Sequence, residues 1–127
     1  MRATSIFLFS LVLFPLQAVA QGAVQRTPSP PNASVFFAEP AEGATVPTTF
    51  KVKMGLIGMD LAPAGTKRSN GGHHHIIIDT DLPRFDERIP ADFNHLHFGG
   101  GQAEAEITLP PGDHTLQLLL GDHDHVP

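Results

Sequence analysis

The stretch Gly71-Gly72-His73-His74-His75-Ile76-Ile77-Ile78-Asp79 decides the fold. Its three consecutive isoleucines are β-branched and apolar, and such residues favour a pleated strand. An uninterrupted apolar run is typical of a strand that is covered on both faces. The three histidines before it require water, a hydrogen-bond partner or a metal ion. The stretch therefore predicts a central strand over 73–80 with a polar cluster at its beginning.

Other short segments with apolar residues flank this strand, and glycines and prolines separate them. The clearest is Thr49 to Ile57, where Phe50, Val52, Met54 and Leu56 face one way. Period-two alternation of this length predicts a half-buried strand. The remaining predicted strands are 35–37, 95–98, 103–109 and 114–120, with a long connection over 81–94. Short strands with Gly/Pro turns and no helical period predict an all-β, immunoglobulin-like antiparallel β-sandwich.

The last predicted strand, 114–120, has no partner after it, so the final strand of the sandwich is apparently missing. An open apolar strand edge favours pairing with another chain. We therefore expect either a continuation of the chain or a protein partner to cover this edge.

The beginning of the chain predicts export. Arg2, the apolar run from Ile6 to Leu16 and the small-x-small sequence Ala18-Val19-Ala20 form a signal peptide over 1–20, cleaved after Ala20. Residues 21–32 are polar and rich in proline, which predicts a disordered tether. Residues 33–127 then form one domain. We expect a periplasmic or secreted protein.

Composition argues against several kinds of partner. With 13 acidic and 8 basic side chains, the net charge of −5 disfavours nucleic acid. No second long apolar segment follows the signal peptide, so no membrane span is predicted. There is no cysteine, and no serine lies in a Gly-x-Ser-x-Gly sequence. These features predict a non-catalytic domain that folds without disulfides.

Several motifs resemble an exported bacterial family that is catalogued only as a domain of unknown function. They are 72–79 (GHHHIIID), 97–102 (HFGGGQ), 109–118 (LPPGDHTLQL) and the final Gly-Asp…His-Val-Pro. The resemblance covers about residues 33–127. It implies the same compartment and fold but no activity. It also implies that family members continue past His-Val-Pro with a further histidine and a closing strand.

The histidines predict a metal site. Six of the eight form three His-x-His pairs: His73/His75, His95/His97 and His123/His125. On a strand, residues i and i+2 share a face, so their imidazoles can bind one ion together. Two such pairs make a four-nitrogen site. Nitrogen and carboxylate ligands suit Cu(II), Zn(II) or Ni(II), and we expect copper or zinc.

Only one face of the central strand can carry ligands. We expect His73 and His75 to form the exposed ligand pair, with His74 either in the core or in support of the ligands. If Ile77 points inward instead, the two faces are reversed. A carboxylate beside a ligating histidine fixes its tautomer, and Asp79, Asp122 and Asp124 are candidates for that role.

Three other interpretations compete with a non-catalytic metal-binding domain. The histidines can instead be packing residues or hydrogen-bond donors to backbone carbonyls, with His123 and His125 in a solvated tail. The domain can be a structural or protein-interaction module of the cell envelope that uses its open sheet edge. Finally, 95–99 (HLHFG) resembles the copper-ligand segment of copper-zinc superoxide dismutases, although their disulfide and remaining ligand spacing are absent.

Overall fold

The computed structural model describes residues 24–127, which fold into seven strands and contain no helix. The strands are β1 (Ser34–Glu39), β2 (Thr49–Ile57), β3 (Asp60–Leu61), β4 (Gly71–Ile78), β5 (His95–His97), β6 (Glu104–Thr108) and β7 (Leu116–Gly121). The predicted signal peptide, residues 1–20, and residues 21–23 lie outside this range. No helix of the described chain is long and apolar enough to cross a membrane.

The strands form two sheets, which confirms the predicted β-sandwich. One sheet has the order β1-β2-β6, and both of its pairings are antiparallel. In the other sheet β4 pairs antiparallel with β5 on one side and with β7 on the other. This connectivity, with β2 next to β6 and β4 next to β7, is that of an immunoglobulin-like sandwich.

The core lies between the two sheets. From β2 it takes Val52 and Met54, and from β4 it takes Ile76 and Ile78. Ile107 of β6 and Phe98 complete the buried set. The alternation that predicted β2 therefore holds, because Val52 and Met54 share the inner face of that strand.

The central strand is buried along its whole length, as its continuous apolar run predicted. One feature of its surroundings is not visible in the sequence. β3, a two-residue strand between β2 and β4, pairs with β4 in parallel. A strand of two residues shows no periodicity in the sequence, so its pairing can be seen only in the structure.

The two ends of the described chain meet. Residues 24–32, the described part of the predicted tether, form no strand. Thr27 donates a hydrogen bond to Asp122 (2.6 Å), and Arg26 donates one to the carbonyl of Pro127 (3.0 Å). Within residues 24–127, β7 pairs with β4 alone, so its outer edge carries no further strand.

Candidate metal centre

His73 and His75 lie on the face of β4 that points away from the inter-sheet core. Ile76 and Ile78 occupy the other face, as expected for alternation along a strand. The predicted exposure of the two histidines is wrong, since only 0% and 1% of their surfaces are accessible. Part of the predicted long connection over 81–94 lies near His75, because the buried side chain of Ile89 and the ring of His75 both lie beside Gly121.

Two further histidines meet this pair from different parts of the chain. His97 lies directly opposite His75 on the neighbouring strand β5. His125 comes from the loop after β7, and its Nε2 atom lies 3.1 Å from Nε2 of His97. Ring centres within this group are 4.7–5.9 Å apart. We call His73, His75, His97 and His125 the imidazole cluster.

Three members of the imidazole cluster already have the spacing of metal ligands. One nitrogen each of His73, His97 and His125 lies within 4.8 Å of the other two. The ring of His75 is centred 4.9 Å from that of His73 and 5.1 Å from that of His97. The ring of His75 therefore borders the group formed by the other three histidines.

The loop that carries His125 is closed by Asp122. The Asp122 amide donates to the carbonyl of Val126 (2.9 Å), and the Asp122 carbonyl accepts from the His125 amide (3.0 Å). Its Oδ1 atom accepts from the amides of Asp124 (2.9 Å) and Val126 (3.0 Å). His125 itself has a φ of 65°, a backbone conformation that non-glycine residues adopt infrequently. The loop therefore fixes the direction of the His125 side chain.

Two glycines leave room for the imidazole rings. A Cβ atom at Gly99 would overlap the ring of His97. A Cβ atom at Gly121 would lie 2.9 Å from Nε2 of His75 and 3.2 Å from the side chain of Ile89. Any larger residue at either position must displace a ring of the imidazole cluster.

The buried rings have no hydrogen-bond partners. Both ring nitrogens of His73 and of His75 are buried and unpaired within the described chain. An unsatisfied buried polar group costs about 1–3 kcal/mol. No hydrogen bond within the described residues satisfies these nitrogens. Metal coordination would satisfy one nitrogen on each ring.

Burial also keeps these imidazoles neutral. Desolvation, followed by repulsion from His125 and His97, lowers the pKa of His73 to about 4. Desolvation is again the largest cause that lowers the pKa of His75 to about 3. The pKa of His97 is lowered by the same two effects, burial and the neighbouring His125. At neutral pH these rings therefore present free lone pairs, the form that binds metal.

The other predicted ligands lie elsewhere. His95 lies on β5 with His97, but its partner on β4 is Ile77. The Nδ1 atom of His95 is hydrogen-bonded to the Asp92 carboxylate at 2.7 Å. His123 faces Asp124, with 3.5 Å between Nε2 and the carboxylate. The His-x-His pairs of β5 and of the C-terminal loop are thus divided, with one member of each in the imidazole cluster. In the segment 95–99, which resembles the copper-ligand segment of superoxide dismutases, only His97 belongs to the group with ligand spacing.

His74 points to the side of β4 that faces the core, as predicted. Its two ring nitrogens are also buried and unpaired, and burial lowers the pKa of His74. The sequence did not single out Asp122 as the residue that shapes the His125 loop, nor Gly99 and Gly121 as spacers. The adjacent Gly-Asp and Phe-Gly sequences are too common to indicate these roles.

The fold and the imidazole cluster define an immunoglobulin-like β-sandwich domain with four clustered histidines beside its central strand, of which His73 and His75 are buried. The chain belongs to the family described as domain of unknown function DUF4399, which matches residues 52–127. That range contains all four members of the imidazole cluster. No curated protein and no solved structure matches the chain.

Proposed function

We propose that this domain is an exported, non-catalytic module that binds one divalent transition metal ion, copper or zinc. The ligands are His73, His75, His97 and His125. The observation that carries the proposal is the convergence of four imidazoles, two of them buried with no other polar partner.

The chemistry of the donors supports this choice of ion. Imidazole nitrogen is a ligand for copper, zinc and nickel, whereas magnesium and calcium prefer oxygen. Of the two methionines in the described domain, Met54 belongs to the hydrophobic core, so it offers no thioether to a soft ion. The low pKa values of His73 and His75 keep the rings neutral and ready to bind at physiological pH.

Export and a periplasmic location rest on the sequence of residues 1–20. A divalent ion is compatible with that compartment, because four imidazoles do not require a reducing environment as thiolates do. The interaction of the open β7 edge with a protein partner stays a prediction from the sequence.

Untagged protein tests the proposal, because a histidine tag would bind the same ions. Elemental analysis after purification, and titration with Zn(II) and Cu(II) against a competing chelator, should give one ion per chain. His97→Ala should weaken binding by more than tenfold, whereas His95→Ala, two residues away on the same strand, should not. Absence of binding, or an equal effect of the two variants, would contradict the proposal.

A further inference from the structure

We infer that the imidazole cluster is a closed, tetrahedral Zn(II) site with a structural role. This inference rests on the metal-binding function proposed above and names the ion, its geometry and its effect on the fold.

The spacing of the four rings fits tetrahedral coordination. Imidazoles that bind one ion tetrahedrally, with nitrogens at about 2.0–2.1 Å, have ring centres about 5 Å apart in every pair. The six observed distances lie between 4.7 and 5.9 Å, and five of them are 5.1 Å or shorter. The arrangement is close to a regular tetrahedron of rings.

A square-planar site, which Cu(II) and Ni(II) favour, requires different spacing. Neighbouring rings would then be about 4.5 Å apart and the two opposite pairs about 6.4 Å apart. However the four rings are divided into two opposite pairs, at least one pair is separated by 5.0 Å or less. Zn(II) has no electronic preference against the tetrahedral arrangement.

Four protein ligands around a tetrahedral ion leave no position for water. Catalytic zinc sites keep three protein ligands and one open position, whereas structural sites are four-coordinate. His73 and His75 are fully buried, and a Cβ atom at Gly121 would meet both the ring of His75 and the side chain of Ile89, whereas His125 is half-buried and His97 is exposed. The two buried ligands cannot move aside without disrupting the packing around β4 and β7.

A bound ion would connect distant segments of the chain. The four ligands come from β4, from β5 and from the loop after β7, which are separated in sequence. An ion held by all of them links the central strand to the segments on either side. Because the unfolded chain lacks this arrangement, the free energy of binding stabilises the fold.

Co(II) substitution and metal competition test the geometry in the intact wild-type protein. The Co(II) form should show the intense visible bands of tetrahedral coordination, and Zn(II) should bind at least tenfold more tightly than Ni(II). Weak six-coordinate Co(II) bands, or Ni(II) affinity equal to or above that of Zn(II), would overturn the inference. Those results still require a bound ion, so they leave the proposed metal-binding function intact. No binding of any ion would contradict both.

Replacement of His75 tests whether the site is closed. His75→Phe keeps a ring in the pocket but removes the ligand nitrogen. We expect Co(II) still to bind, at least tenfold more weakly, with an altered visible spectrum as water replaces the fourth ligand. His95→Ala is the matched control and should leave the spectrum unchanged. An unchanged spectrum and affinity in a folded His75→Phe protein would mean a three-ligand, open site.

Discussion

Asp122 holds His125 in place through a closed loop: the His125 amide donates to the Asp122 carbonyl at 3.0 Å. The Asp122 carboxylate accepts two further amides from the same loop and the hydroxyl of Thr27. The one ligand of the imidazole cluster that lies outside the sheet is therefore positioned by a buried carboxylate. Replacing Asp122 by Ala or by Asn separates the loss of its acceptor oxygen from the loss of its charge.

Asp122→Ala should lower the free energy of unfolding by about 2–4 kcal/mol, because it leaves buried amides without a charged acceptor. It should also weaken metal binding by at least tenfold, since His125 is no longer held. Asp122→Asn keeps an acceptor oxygen and should retain most of the affinity. Denaturant unfolding and chelator competition measure the two effects, and equal affinity loss in both variants would contradict a positioning role.

Gly99→Ala should weaken metal binding more than it lowers the free energy of unfolding. The new Cβ would overlap the His97 ring, so the ring must turn away from the imidazole cluster. We expect a loss of metal affinity of tenfold or more. Gly100→Ala is the control, because its Cβ would meet only the end of the flexible Gln102 side chain, at 3.1 Å. If both variants bind metal equally well, the position of the His97 ring is not constrained as described.

The metal-free protein should lose stability as the pH falls from about 6.5 towards 4. In that interval the unfolded chain binds protons at His73 and His75, whose ordinary pKa is 6.5, while the folded rings stay neutral. Protons bound only by the unfolded state favour unfolding, with a loss on the order of a few kcal/mol by pH 4.

Denaturant unfolding in the presence of a chelator measures this dependence. Between pH 6.5 and 5 the carboxylates stay ionised, so the slope there reports on histidines. The double replacement His73→Phe and His75→Phe should flatten the slope. A wild-type slope that is already flat in this interval would show that the buried rings do not remain neutral.

His114 should stabilise the fold at low pH, the opposite of His73 and His75. Its Nδ1 donates to Asp79 (2.6 Å) and its Nε2 to the Pro110 carbonyl (2.7 Å), so both nitrogens must carry protons. The bond to Asp79, then that to Pro110, raises the pKa of His114 above its ordinary value of 6.5. The bond to His114 likewise lowers the pKa of Asp79.

The stabilisation from His114 is complete below pH 6.5 and is lost as the pH rises through its raised pKa. NMR titration of the His114 ring should show a midpoint above 6.5. His114→Gln should remove the loss of stability at alkaline pH and leave metal binding unchanged. A midpoint at or below 6.5 would contradict a doubly bonded imidazolium.

Much of the fold can be predicted from local patterns. The alternation of Val52 and Met54 and the run of Ile76 to Ile78 predict β2 and β4, because side-chain period and β-branching act within a strand. The same alternation assigns His73 and His75 to one face and His74 to the other. The sequence therefore identifies the inner half of the candidate site.

The outer half depends on tertiary contacts. Nothing local indicates that His97 and not His95 reaches the imidazole cluster, because both lie on one face of β5. Their roles are set by register, with His97 opposite His75. His125 enters through the hydrogen bonds of Asp122, and Ile89, which lies beside Gly121 near His75, belongs to a segment that has no regular structure. These features arise between segments distant in sequence, beyond what periodicity reports.

X-ray absorption of the zinc-loaded, untagged protein tests the central claim most directly. We predict four nitrogen ligands at about 2.0 Å with the outer-shell scattering of imidazole rings, and loss of part of that scattering in His97→Ala. A coordination shell made mainly of oxygen, one with fewer than three imidazoles, or the absence of any bound ion would contradict the account.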